Sequence, residues 1–340
     1  MHRPGTNGGV PLLETSPGDD LFPGWCAVWA AGELLDRPDG PPRPAVDHEA
    51  LGRNLLEPGG ARSGTHRALV HDGEVVGALR LLLPQRDNPT LAVVDLAVHP
   101  DHRRRGLGAR LLEEAHRLAA AAGRTELLVE VDEPGPGAAG RRFAERHGFT
   151  CDLAETRRDL LLPPDEERLR ALEADARARS AGYALVTWRD RVPDALLDDR
   201  ALLERRMTTD APHGDLPVEE EEWDGARIRE YEALHVARGR TVLSAGAVHD
   251  GRLVAFTDLQ VPLADPRRAH QGGTLVLREH RGHRLGALVK AAALRSLVAE
   301  GLPVQRVCTY NEEDNAPMVA VNEALGFVVA GRLSTWTWRA

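Results

Sequence analysis

Residues 98–112 read VHPDHRRRGLGARLL, and this stretch decides the fold. It overlaps the end of a short apolar run that is rich in β-branched residues, Leu91–Val98, which predicts a buried strand. Beyond the stretch, leucine and alanine recur at helical spacing, so a helix opens directly on the glycine-containing turn. The N-terminus of a helix has backbone N–H groups without partners and a partial positive charge, and it therefore suits a phosphate.

The residues of the turn fit that use. Gly106 and Gly108 let a ligand approach the backbone closely, and the arginines at 103–105 can pair with its charge. From the local pattern alone, a glycine-containing turn beside a solvated arginine run fits equally well. The order strand, turn and helix favours a phosphate site, because this is the order that such a site needs.

The pattern Arg103-x-x-Gly106-x-Gly108 resembles the pyrophosphate-binding loop of the GNAT acyltransferases, which follows the fourth strand of their fold. It differs from the dinucleotide-binding fingerprint, whose glycines follow the spacing Gly-x-Gly-x-x-Gly. The resemblance implies an α/β fold with a mixed sheet, acetyl-CoA as the acyl donor, and transfer of the acetyl group to an amine in a ternary complex. It assigns these first-half residues to the donor: Val98, Arg103, Arg104, Arg105, Gly106, Leu107, Gly108 and Ala109.

The chain also contains an internal repeat. The hairpin tripeptide His-Asp-Gly at 71–73 recurs 178 residues later at 249–251. A Gly-Phe pair at 148–149 recurs at 326–327, at the same offset. A constant register of this kind predicts a duplicated domain.

We therefore expect two tandem GNAT-like domains, residues 1–162 and 182–340. Each is expected to have a central, mostly antiparallel sheet flanked by helices, and the segment from 149 to 162 is expected to close the first sheet. Residues 163–181 are predicted to contain a linker helix, because they are highly charged and carry apolar residues at helical spacing. A tandem pair of this length is similar to the actinobacterial group of GNAT proteins that includes mycothiol synthase.

The second copy of the loop departs from the family pattern at one glycine. Arg281 and Gly286 match, but Arg284 stands where the first glycine is expected, and its side chain lies where the backbone should approach the pyrophosphate. Since an arginine can also pair with a phosphate, a second donor site stays open. The resemblance assigns these residues to it: Val276, Arg281, Gly282, Arg284, Gly286 and Ala287.

Asn315 resembles, by position, the asparagine with which many GNAT enzymes contact the pantetheine arm of the donor. A helix N-cap is an equally good interpretation of this residue. The corresponding residue of the first half is Gly137. The first half therefore has the better phosphate loop, and the second half has the better pantetheine side.

Acyl transfer to an amine asks little of the protein, because the thioester is already activated and positioning supplies much of the rate. A base must accept a proton from the attacking amine, and an acid can protonate the leaving thiolate. The family often uses a tyrosine for the second task, five residues before the phenylalanine of the Gly-Phe pair; these positions hold Ala144 and Asn322. Neither half therefore offers the usual acid.

Asp95 is the candidate catalytic base. It interrupts the apolar fourth strand at a position where some family members carry an acid that faces the acceptor; a hydrogen-bonded structural aspartate is the alternative. Its counterpart in the repeat is Gly273, which cannot act as a base, so these residues place the chemistry in the first half. The resemblance to the mycothiol-synthase group favours the second half instead. Further candidate bases are Glu130, Asp132, Glu312 and Glu313.

The composition of the chain limits the classes of binding partner that we expect. The net charge of −9 argues against a general nucleic-acid binder. No segment resembles a signal peptide or a membrane span, and three widely spaced cysteines indicate no metal site, so we expect a cytoplasmic monomer or homodimer. The expected partner is a small-molecule amine, which the acidic run at 219–222 could attract, although such runs are usually solvated. An acyl-CoA-binding or regulatory protein without catalysis is the alternative function.

Overall fold

The computed structural model describes residues 10–133, 135, 138–210 and 214–340. Both halves have the same order of elements, and helix α5 (Glu166–Arg179) connects them. The first half comprises β1 (Leu12–Thr15), α1 (Phe22–Asp36), α2 (Ala45–Leu56), β2 (Arg62–His71), β3 (Glu74–Pro84), β4 (Leu91–Val98), α3 (Leu107–Ala121), β5 (Glu126–Glu133), α4 (Ala139–Arg146) and β6 (Thr150–Leu161). The second comprises β7 (Ala184–Arg189), α6 (Leu197–Asp210), α7 (Gly225–Ala237), β8 (Arg240–His249), β9 (Arg252–Pro262), β10 (Arg268–Val276), α8 (Leu285–Ala299), β11 (Arg306–Glu312), α9 (Ala316–Leu325) and β12 (Val328–Arg339).

All twelve strands form one sheet in the order β1-β2-β3-β4-β5-β12-β6-β11-β10-β9-β8-β7. Within the described residues, neighbouring strands are antiparallel except for β4 with β5 and β10 with β11. Strands β1–β6 of the first half correspond to β7–β12 of the second half. With this correspondence, the strand order is the same when it is read from either edge of the sheet. The predicted α/β class with a mixed sheet is confirmed. Among the described helices, none combines the length and the apolarity needed to cross a bilayer.

The last strands of the two halves are exchanged. The expectation that the segment from 149 to 162 closes the first sheet is wrong, because β6 lies between β12 and β11 and pairs with β11 through Glu155–Leu161. In return, β12 of the second half pairs with β5 of the first half. Strands at equivalent positions of a repeat can take the same place in a sheet, so local sequence does not distinguish the two arrangements.

Helices cover both faces of the sheet. Ala78 packs with Trp25 of α1, whereas the next residue of β3, Leu79, packs with Leu111 of α3, because neighbouring side chains of a strand point to opposite faces. The second half repeats this arrangement with α6 on one face and α8 on the other. Helices α2 and α7 contact each other across the middle, so α1, α2, α6 and α7 share one face.

Ion pairs join the halves on that face, and the one at Asp47 is buried. Asp47 of α2 is 1% exposed and binds Arg238 at 2.9 Å and Arg240 at 2.6 Å. Asp39, in the connection between α1 and α2, binds Arg268 of β10 at 2.9 Å. Breaking a buried pair leaves an uncompensated charge, so these contacts hold the halves in one relative position.

Candidate acyl-donor loops and acidic groove

The first loop forms where β4 leads into α3. A short 3-10 turn follows the strand, and Gly106 is then the N-cap of α3 with a left-handed φ of 78°. Among the described residues, no side chain caps this helix, so the N–H groups of its first turn stay available. Leu107 is buried and anchors the helix, while Gly108 and Ala109 complete the first turn. The sequence prediction of a strand, a turn and a helix N-terminus is confirmed at this position.

Arg103 and Arg281 shape their loops through equivalent contacts. Arg103 donates from Nε to the carbonyl oxygen of Val98 at 3.1 Å and binds the carboxylate of Asp36 at 3.2 Å. In the second half, Arg281 donates to the carbonyl oxygen of Val276 at 3.1 Å and binds Asp210 at 2.8 Å. Each arginine thus ties the end of a strand to the end of a helix on the opposite face. Their charges are already paired, so in the first loop the backbone N–H groups and the exposed Arg104 and Arg105 are left to contact a phosphate.

Both loops have two residues with left-handed backbone. In the first loop these are Arg104 (φ 66°) and Gly106 (φ 78°), and in the second they are Gly282 (φ 89°) and Arg284 (φ 58°). The glycine and the arginine have therefore changed places between the copies. The side chain of Arg284 turns away to Asp175 of α5, with Nε 3.2 Å from the carboxylate. An arginine at this position therefore leaves the second turn open, which removes the obstacle that the sequence suggested.

The two loops differ in how closely α4 or α9 approaches them. A Cβ atom built on Gly108 would lie 3.2 Å from the ring of Phe143 on α4. At Gly286, the equivalent residue, the nearest atom is a methyl group of Val276 at 4.0 Å. The counterpart of Phe143 on α9 is the smaller Val321. The second loop is therefore the more accessible of the two.

Each loop lies beside a gap in the sheet. Strands β4 and β5 pair only through Leu91–Val93 and Glu126–Leu128 and then separate, and β10 and β11 pair only at their first three residues. In β10 the pairing with β9 shifts register between Gln271 and Thr274, which marks a β-bulge. Backbone groups at the gap are free to contact a ligand that passes from one face of the sheet to the other.

Asp95, the predicted base, lies on the α1 face and is held by Arg80. Nε of Arg80 donates to its carboxylate at 2.9 Å, and the side chain of Asp95 is 28% exposed. Burial opposes ionisation of this group, but the charge and hydrogen bond of Arg80 outweigh it, so the pKa of Asp95 lies below its ordinary value. A carboxylate that is held in its ionised form by an arginine is a weak base.

Four carboxylates lie on the same face, across the exchanged strands, and we name this cluster the acidic groove; Arg37, at the end of α1, lies beside it with Nε 3.4 Å from the carboxylate of Asp132. Asp132 of β5, Glu155 of β6 and Glu312 of β11 lie in one cross-strand row, in which Leu333 of β12 separates the first two. Glu130 lies two residues before Asp132 and points to the same face. Because β6 comes from the first half and β11 from the second, both halves contribute to the groove.

All four carboxylates of the groove have a raised pKa. Burial, with added repulsion from Glu130 and Glu312, raises the pKa of Glu155 to about 7. Burial likewise raises the pKa of Glu130, Asp132 and Glu312. Oε1 of Glu312 is buried and accepts no hydrogen bond from the described residues. Sequence reasoning named three of these residues and missed Glu155, because only the strand exchange brings β6 beside β11.

Three further features named from the sequence remain: Asn315, Gly137 and the acidic run at 219–222. Asn315 is the N-cap residue of α9, but its side chain makes no capping hydrogen bond within the described chain, so the capping interpretation is not realised. Gly137 lies outside the described residues. The acidic run at 219–222 contacts the first half through its backbone, since the Glu219 N–H donates to Oδ1 of Asn88 at 2.7 Å. The side chains of Glu219, Glu220 and Glu222 are exposed.

Comparison with known proteins identifies relatives over most of the chain. The model of the acetyltransferase (GNAT) family matches residues 31–149 and 201–327, one match in each half. A mycothiol acetyltransferase of Frankia casuarinae is 34% identical over 260 residues, which cover 72% of this chain and 67% of that protein. A mycothiol acetyltransferase of Saccharomonospora viridis is 31% identical, with 82% of this chain and 87% of that protein covered.

A solved structure matches both halves at once. It is a tandem GNAT protein from the clavulanic acid biosynthesis pathway, solved without AcCoA. Its sequence is 33% identical, and the two structures superpose with a TM-score of 0.78 over 97% of this chain and 98% of that one. The tandem arrangement predicted from the repeat is therefore present in a solved relative.

Proposed function

Because the chain belongs to the GNAT family of acetyltransferases, we propose that it transfers the acetyl group of acetyl-CoA to the amine of a small molecule. Donor and acceptor bind together, and the amine attacks the thioester directly. The observation that carries this proposal is a pair of helix N-termini that no side chain of the described residues caps, each beside a gap between parallel strands. First-turn N–H groups suit the pyrophosphate of the donor, and the gap lets the thioester meet an acceptor on the other face.

The second half is the proposed catalytic half. Its loop is the more accessible one, since Gly286 has no ring packed on it and Arg284 is drawn away by Asp175. The bulge in β10 adds free backbone groups beside the thioester, and Asn315 is available to the pantetheine arm. The first-half loop is a second donor site in this proposal, with Phe143 narrowing it.

The base is a carboxylate of the acidic groove. Glu155 has a pKa of about 7, which allows it to accept a proton from the attacking amine at neutral pH, directly or through water. Glu312 lies opposite it in the adjacent strand and keeps one oxygen without a partner among the described residues. Asp95 is proposed as a base only for a reaction in the first half, where Arg80 weakens it.

The chemistry of the groove also defines the acceptor. A row of carboxylates attracts a cation, so the acceptor is proposed to be a small amine that is positively charged before it reacts. Relatives with two different roles in their names match this chain at about the same identity. For this reason we define the acceptor by its charge and size.

Calorimetric titration of acetyl-CoA tests the donor site. The variants Gly106→Glu and Gly286→Glu each place a carboxylate where the pyrophosphate would lie, and Val298→Glu adds the same charge at the far, exposed end of α8 as a control. We expect Gly286→Glu to lose at least tenfold in affinity at the catalytic site, because it opposes a charged ligand at close range. Val298→Glu should bind as the wild type does.

The possible outcomes separate the halves. Loss of binding in Gly106→Glu alone would place the donor in the first half and make Asp95 the next residue to mutate. Wild-type protein that binds no acetyl-CoA would overturn the proposal. Release of free thiol in the presence of cationic amines, measured with a thiol reagent, then tests turnover.

A further inference from the structure

The chain contains one lysine, Lys290, and it is buried. It lies on α8 with 2% of its surface exposed, and its Nζ donates to Oδ1 of Asn322 at 2.9 Å. A buried ammonium group is costly unless hydrogen bonds compensate it. Its counterpart in the first half is Leu112, so the fold itself does not require a polar residue at this position.

Asn322 extends this contact into a chain of amides. It lies on α9, is fully buried, and donates from Nδ2 to Oδ1 of Asn311 at 2.6 Å. Asn311 is half-buried near the end of β11, beyond Cys308, the last residue that pairs with β10. The chain therefore runs from the interior beneath α8 to the gap between β10 and β11, on the face that carries the donor loop.

The chemistry of lysine sets the direction of these hydrogen bonds. Nζ of Lys290 donates to Oδ1 of Asn322, so the amide of Asn322 turns its Nδ2 toward Asn311. The Oδ1 of Asn311 is then used, and its Nδ2 group is left to donate at the gap. We propose that Lys290 is a positioning residue that fixes the amide of Asn311 as a hydrogen-bond donor to the thioester sulfur of acetyl-CoA. This inference rests on the proposed function of the second half.

A donor at the sulfur assists the step that the missing tyrosine leaves unassisted. The amine lone pair forms the new C–N bond, the carbonyl electrons move to oxygen, and their return breaks the C–S bond. The sulfur leaves with the bonding pair as a thiolate, the groove carboxylate takes the proton of the amine, and water protonates the thiolate later. An N–H group that donates to the developing thiolate stabilises its charge.

The first half lacks this chain at every position. At the constant offset of 178 residues, the counterparts of Lys290, Asn322 and Asn311 are Leu112, Ala144 and Glu133. Glu133 is buried and binds Ser334 and Arg141, and a carboxylate beside the sulfur would oppose a thiolate. The amide chain therefore distinguishes the second half as the one equipped to release the thiol.

Two variants separate positioning from a structural role. Lys290→Met keeps roughly the length of the side chain and removes the hydrogen-bond donor, so the side-chain amides of Asn322 and Asn311 can each rotate and exchange their oxygen and nitrogen atoms. Asn322→Asp keeps an acceptor for Lys290 but offers Asn311 only oxygens, so the amide of Asn311 must turn its Nδ2 inward and its Oδ1 toward the gap. Leu112→Met in the first half is the matched control.

The readout is the pKa of the thiol of bound CoA, followed by the ultraviolet absorbance of the thiolate. It is measured in the Gly106→Glu background, so that only the second site is loaded. We expect the protein to lower this pKa, and both variants to raise it again by about one unit, which is a tenfold loss of thiolate stabilisation. Their kcat should fall about 10-fold to 100-fold with little change in KM for acetyl-CoA. Leu112→Met should change neither quantity.

The outcomes distinguish this inference from the function on which it rests. Bound CoA whose thiol pKa is the same in wild type and Asn322→Asp overturns the inference, even if acetyl transfer proceeds. The inference is supported if the wild type lowers the pKa of the thiol and neither variant does, even if the acceptor proves different from the one proposed. Lack of CoA binding in the second site overturns both.

Discussion

Replacement of Lys290 by methionine is expected to stabilise the protein at pH 7 and to have an effect near zero at pH 9. Burial is the cause that lowers the pKa of this lysine from 10.5 to about 7 in the folded chain. The unfolded chain therefore binds the proton more tightly than the folded one, and the native state loses stability as the pH falls from the unfolded pKa toward the folded pKa. Below pH 7 both states hold the proton and the loss levels off.

The magnitude follows from these two pKa values. Linkage gives a cost of about 2 kcal/mol at pH 9 and about 4 kcal/mol at pH 7 for the lysine, because each unit of pKa difference corresponds to about 1.4 kcal/mol. Methionine has no proton to bind and fills a similar volume. It leaves Oδ1 of Asn322 without its donor, at a cost of about 1–3 kcal/mol that does not depend on pH. The difference between variant and wild type should therefore grow by about 2 kcal/mol between pH 9 and pH 7.

Urea unfolding at several pH values measures this difference. Tryptophan fluorescence and circular dichroism are followed together, so that coincident curves establish a single transition. All other titrating groups are common to both proteins and cancel in the comparison. Leu294→Met, in the next turn of the same helix, is the control and should give a difference that is flat with pH. A flat difference for Lys290→Met as well would refute the reasoning, because the lysine would then titrate alike in both states.

Two further predictions concern the loop and the groove. Arg284→Gly should raise the free energy of unfolding by up to about 1 kcal/mol, because glycine adopts the left-handed backbone without strain and the ion pair lost with Asp175 is partly exposed. Thermal unfolding measures this change. A tenfold loss of acetyl-CoA affinity in the variant would show instead that the arginine binds phosphate. Glu155→Gln should lower kcat at least tenfold and abolish the rise of activity with pH near 7, because the wild-type carboxyl must lose its proton before it can act as a base. A pH–rate profile of the variant that still rises near pH 7 would exclude Glu155 as the base.

Much of the fold could be predicted from local sequence. The turn at Gly106 needs a residue with left-handed backbone between a strand and a helix, and this requirement is visible in the sequence as a glycine at that position. The constant offset of 178 residues extended the prediction to the second half, where the same backbone occurs with Gly282 and Arg284 in exchanged roles. These features could be predicted because each depends on a few neighbouring residues.

The groove and the amide chain depend on distant residues, so the sequence indicated single members of the groove but not which residues come together. Glu155 looks like an ordinary charged residue of a terminal strand until β6 is placed beside β11. Lys290 is conspicuous as the sole lysine, yet nothing in its helix indicates that Asn322 lies within hydrogen-bond distance. The prediction of Asp95 as a base failed to anticipate Arg80, its partner on the adjacent strand, for the same reason.

The strand exchange also bears on why a duplicated fold keeps both copies. Each half contributes its last strand to the sheet of the other, so the acidic groove beside the second donor loop contains Glu155, a residue of the first half. Asp47 and Arg238 hold the halves together by a buried ion pair. In the proposed function, the first half can therefore lack the positioning lysine, with Leu112 in its place, and still be required, because the proposed site of the second half includes Glu155 from the strand that the first half supplies.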